Sequence, residues 1–88
     1  MNRKSAAEIS QRLADDLNQA TGEYMRLQRL ELEIIREAPS GIPLPDGVVR
    51  IIQAGKVVRT AFAEYQRAVK RYRDFLDRGV VPEDLTGD

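Results

Sequence analysis

The chain has 88 residues, 14 Lys and Arg against 14 Asp and Glu, and neither Cys nor His. Zero net charge leaves no long-range field to gather nucleic acid or an acidic membrane, and the missing residue types remove disulfides, thiolate metal sites, the commonest metal ligand and the commonest general base. A chain this short buries only a limited core on its own, and no apolar run approaches the roughly 20 residues that cross a bilayer.

The opening residues MNRKSAAEISQR place Glu8 and Arg12 where a signal peptide would be apolar, so a cytoplasmic protein is expected. Ser5-Ala6-Ala7-Glu8 has the spacing of a capping box, with the Ser5 hydroxyl receiving the Glu8 amide and the Glu8 carboxylate reaching back. A first helix is predicted over about residues 5–38. Its apolar stripe is Ile9, Leu13, Leu17, Ala20, Tyr24, Leu27, Leu30 and Ile34, in steps of three or four. Pro39 ends it, because its ring biases Ala38 out of the helical region.

The segment APSGIPLPDG (38–47) is the one strong interruption in the body of the chain, and it predicts a turn over 39–46. Ile42 and Leu44 within it are expected to cover the adjoining end of the helices. Asp46 is suited to N-cap the second helix, and Pro45 is the alternative first helical residue.

The second helix, about 46–78, carries Val48, Ile51, Gly55, Val58, Phe62, Tyr65, Val69, Tyr72 and Leu76 in alternating steps of three and four. That is the heptad rhythm of a helix packed lengthwise on another, and no strand period would keep these side chains on one face. Arg78, Gly79 and Pro82 mark its end, with Val80 placed to touch Phe75. The acidic tail over 79–88 is expected to fray, with Val80, Val81 and Leu85 able either to fold back or to act as a short linear motif.

Two rods of equal length joined by one short turn predict an all-α, coiled-coil-like antiparallel hairpin. A fold-back at the prolines pairs residues whose numbers sum to 85 or 86: Ile34 with Ile51, Leu30 with Gly55, Leu27 with Val58, Tyr24 with Phe62, Ala20 with Tyr65, Leu17 with Val69, Leu13 with Tyr72 and Ile9 with Leu76. Gly55 against Leu30 and Ala20 against Tyr65 set small against large, so a close approach of the helices is expected at Gly55.

One seam leaves apolar residues over. The second helix has Ala54, Ala61, Ala68 and Phe75 spaced by seven, with Val57 beside them; the first has Ala7, Ala14, Met25, Leu32 and Ile35 outside its stripe. The expected interface therefore comprises Ala54, Val57, Ala61, Ala68, Phe75, Met25, Leu32 and Ile35, through which two hairpins pair into a dimeric four-helix bundle with Phe75 as anchor. A helix from a different protein is the alternative occupant.

Charge divides unequally, with a net −3 over Ser5–Ala38 and +4 over Asp46–Arg78, which favours pairing of the two helices. The alternative reading of the basic helix is a phosphate-binding strip centred on Arg67, Lys70 and Arg71 in a nucleic-acid-associated protein. Glu64, Asp74 and Asp77 dilute it, and Tyr65 and Tyr72 are assigned to the seam rather than to base stacking.

Catalysis finds no groups. Glu31, Glu33 and Glu37, or Asp15 and Asp16, lack the His that a bundle di-iron site requires; Ser5, Ser10 and Ser40 have no base partner; the turn lacks phosphate-loop spacing. The sequence thus predicts a non-enzymatic interaction module, a scaffold, adaptor or regulatory subunit, with no catalytic residue, metal or cofactor.

Overall fold

Ser5 opens helix α1 (Ala6–Glu37). The Glu8 amide donates to Ser5 Oγ at 3.1 Å, the Ser5 hydroxyl donates to Glu8 Oε1 at 3.2 Å, and the Ile9 amide reaches the Ser5 carbonyl at 3.0 Å. The box therefore closes hydroxyl to carboxylate, so the Glu8 side chain returns to the Ser5 side chain. Helix α2 (Pro45–Arg78) begins at Pro45, where a missing amide hydrogen is no loss. It stops at Gly79, whose φ of 68° turns the chain left-handed. Two terminal carbonyls are met there, by Gly79 N–H on Phe75 at 2.9 Å and Val80 N–H on Asp74 at 3.2 Å. A third, four-residue helix, α3, spans Glu83–Thr86.

The computed structural model describes residues 4–37 and 45–86. Most of the turn expected over 39–46, including Ile42 and Leu44, lies outside the described residues. The two long helices pack against each other as an antiparallel hairpin, and the fold is all-helical among the described residues. The molecule measures 61 × 19 × 17 Å, with a radius of gyration of 18.3 Å; a compact chain of this length would have about 12 Å.

The expected register holds at the centre, where the Tyr24 and Phe62 rings lie 5.2 Å apart. Tyr65 joins them, stacked on Tyr24 at 5.7 Å. Such aromatic contacts contribute about 0.5–1.5 kcal/mol each beyond their burial. Near the termini Tyr72 packs on the cluster that contains Leu13, again as the register requires.

The structure corrects the sequence reading in four places. First, α2 is rotated toward its alanine line: Ala61 is buried, whereas Phe62 and Leu76 are exposed. The small Ala61 side chain lets α1 approach, and the bulky Phe62 lies to one side against Tyr24. Second, Gly55 is buried, but a Cβ there would meet only the tips of Glu31 and Arg59, at 3.3 and 3.4 Å, so no backbone approach requires the glycine.

Third, no ion pair among the described residues joins α1 to α2; Arg12–Asp16, Arg26–Glu23, Lys70–Asp74 and Arg78–Asp74 each lie within one helix. Fourth, the tail is folded. Leu85 is 3% exposed and forms one cluster with Ile9 and Leu13, backed by Tyr72, Phe75 and Val81. Val81, not the exposed Val80, makes the apolar contact. The reason is geometric: two helix ends supply two walls of a core, and Leu85 supplies the third.

Candidate functional site

Where the hairpin is not closed by a third element, a groove of ≈ 530 Å³ runs between α1 and α2. Ala20 and Leu27 from α1 and Val57 and Ala61 from α2 supply its apolar lining, and Asp16, Glu23, Lys56 and Glu64 stand among the polar residues around them. Alanine at position 61 opens the groove, because a larger side chain there would fill the space between the helices. Val57 is 47% exposed, so an apolar side chain of the groove remains in water. Thr60, at the rim, turns its hydroxyl back onto the Lys56 carbonyl at 3.1 Å, while Gln19 and Lys56 keep donors beside the apolar lining. The groove's apolar lining with polar residues around it suits packing against another apolar surface.

Toward the termini the groove continues past Asp16, Ala20 and Glu64, which both stretches share, to Arg12, Arg67, Ala68, Arg71 and Asp84. Here Asp84 of the tail borders it. Arg71 Nη2 donates to both Asp84 oxygens, at 2.9 and 2.8 Å, in the ion pair that ties the tail to α2. The Arg71 Nε atom is buried without a partner.

The structure separates the residues that the sequence grouped as one interface. Val57 and Ala61 line the groove, and Ala68 lines its continuation. Ala54, on the same line of α2, is half-buried, and Phe75, the last of that line, is half-buried beneath the tail. Met25, Leu32 and Ile35 are exposed, but none lines the groove. At about 100° per residue, Met25 and Leu32 point well away from Glu23 and Leu27, toward the opposite side of the hairpin. The α1 contribution, Ala20 and Leu27 with Asp16 and Glu23, belongs to or borders the main stripe. Its only sequence signal was the adjacency of those positions to that stripe.

The alternative phosphate strip is divided as well. Lys70 is paired to Asp74 at 2.7 Å and Arg71 to Asp84, while Arg67 faces the groove continuation in the company of Glu64 and Asp16. The Lys70 hydrogen bond holds the Asp74 carboxyl below its ordinary range, helped by the charge of Lys70 and by Arg78. No group of three or more acidic side chains able to hold a metal occurs among the described residues, and no described helix is long and apolar enough to cross a membrane.

Asp84 gives the tail a pH dependence. Burial pushes its carboxyl up, but the hydrogen bond and charge of Arg71, with its own backbone amide and Arg12, hold it below the ordinary 3.8. A depressed carboxyl contributes stability that is present above the unfolded value and lost as pH falls through the folded one. The Leu85 methyl resonances are therefore expected to shift toward free-chain positions in a transition centred below pH 3.8, with Asp84→Asn removing that step. A midpoint at or above the ordinary value would contradict the ion pair.

No protein-family model, curated protein or solved structure matches this chain.

Proposed function

We propose that the protein is a non-enzymatic interaction module whose hairpin pairs with a second copy through the groove face, forming a four-helix bundle that acts as a scaffold, adaptor or regulatory subunit. The observation that carries this is the open apolar groove beside a thin core. Among the described residues the buried apolar side chains are Ile9, Leu13, Ala61 and Leu85, while Val57 stays wet. A single hairpin core seldom supplies more than about 3–5 kcal/mol.

Charge argues for a second copy and for one arrangement of it. Helix α1 carries net −3 and α2 net +4, one of whose cations, Arg71, is taken by Asp84 of the tail; no ion pair among the described residues joins the two helices, so their remaining surpluses of opposite sign favour a neighbour that lays unlike helices together. A two-fold axis parallel to the helices lays each α1 on the partner's α2 and makes all neighbours antiparallel, which also suits the helix dipoles. A perpendicular axis in the interface plane would stack like on like.

Light scattering at tens of micromolar is expected to give twice the 10.0 kDa chain mass. Val57→Glu, placed on the exposed groove wall, should return one-chain mass with helix content unchanged, since it puts a charge into the interface and leaves the hairpin seam alone. A wild-type protein with the mass of one chain would overturn the self-association.

A further inference from the structure

We infer that the C-terminal segment Val80–Thr86 is a built-in competitor for the groove face: docked, it stops a second copy at Ala68, and undocked, it yields the rest of the alanine line. This regulation rests on the self-association proposed above. Three observations place the tail on that path. Asp84 itself lines the continuation of the groove, beside Ala68 and Arg71. Phe75, seven residues beyond Ala68 on the same line of α2, is packed against Leu85's cluster. The two stretches of groove share Asp16, Ala20 and Glu64, so a helix lying along Val57 and Ala61 runs directly onto the tail.

The tail's hold is of a reversible kind. It consists of one buried leucine, the half-buried Val81, one ion pair with an exposed carboxylate, and a pivot at Gly79, whose left-handed backbone gives the chain its change of direction. Only one arm of the Arg71 fork is used, and its Nε is left without a partner. A second copy offers Ile9, Leu13 and Phe75 a larger apolar cover than one leucine can, and with the two-fold axis parallel to the helices both tails lie at the same end, facing the partner.

The test is the dimer dissociation constant of the full chain by analytical ultracentrifugation, for wild type, Leu85→Ala, Asp84→Arg and the charge exchange Arg71→Asp with Asp84→Arg. Loosening the tail should tighten dimerisation on the order of tenfold to a hundredfold, and the charge exchange, which remakes the ion pair in reverse, should return it toward wild type. Single variants that dimerise no better than wild type, with helix content intact, would overturn the tail's role and leave self-association standing. If Leu85→Ala loses helix content, Asp84→Arg decides, because it keeps the leucine. One-chain mass for wild type and every variant would overturn both proposals.

Discussion

Leu13→Ala is expected to unfold much of the hairpin at 25 °C. Leu13 is 1% exposed and is the one large side chain among the described residues that is fully covered. Truncating such a leucine costs about 2–5 kcal/mol through lost burial and the cavity left behind. The same magnitude is about all that one helical-hairpin core provides. No other layer can compensate, because the seam is thin along its length and the Ile9–Leu13–Leu85 cluster joins all three helices. A urea titration followed by far-ultraviolet circular dichroism at fixed protein concentration measures the loss. Leu30→Ala, on the same stripe but 41% exposed, serves as the comparison and should cost far less. Equal effects of the two substitutions would show that the terminal cluster is not the centre of stability.

Gly22→Ala and Gly55→Ala should both raise the melting temperature. A glycine inside a helix costs about 1 kcal/mol relative to alanine, and in a domain of this size about 1 kcal/mol corresponds to roughly 4–8 °C. Gly22 is exposed, and a methyl added there meets nothing within 4 Å, so the full gain is expected. At Gly55 the methyl would meet Glu31 Oε2 at 3.3 Å and Arg59 Nη1 at 3.4 Å, the free ends of long side chains that can move aside, so the gain is smaller but of the same sign. Thermal melts of the two single variants and the double variant check this. A destabilised Gly55→Ala would restore the close helix approach that the small-against-large pairing first suggested.

Much of the fold was legible in the residue order because its causes are local or periodic. Ser5 and Glu8 needed only each other to start α1. Gly79 needed only a backbone free to turn left-handed, and the prolines in the sequence between residues 38 and 47 announced two helices, which the structure has as Ala6–Glu37 and Pro45–Arg78. The register followed from one fold-back point and two regular stripes, so the residue order alone places Tyr24 opposite Phe62.

Azimuth was not legible. Helix α2 carries two adjoining apolar lines, and which of them turns further inward depends on the side chains opposite: Ala61 is buried and Leu76 exposed, while Phe62 keeps one face against Tyr24 and the other in water. Once that rotation was set, Met25, Leu32 and Ile35 fell away from the groove that Val57 and Ala61 border, since two stripes on separate helices have no mutual orientation until a seam joins them. The tail shows the same dependence on assembled surfaces. Leu85 is a lone apolar residue in an acidic stretch, and only the bringing together of Ile9, Leu13, Tyr72 and Phe75 from distant parts of the chain created the place where burying it is favourable.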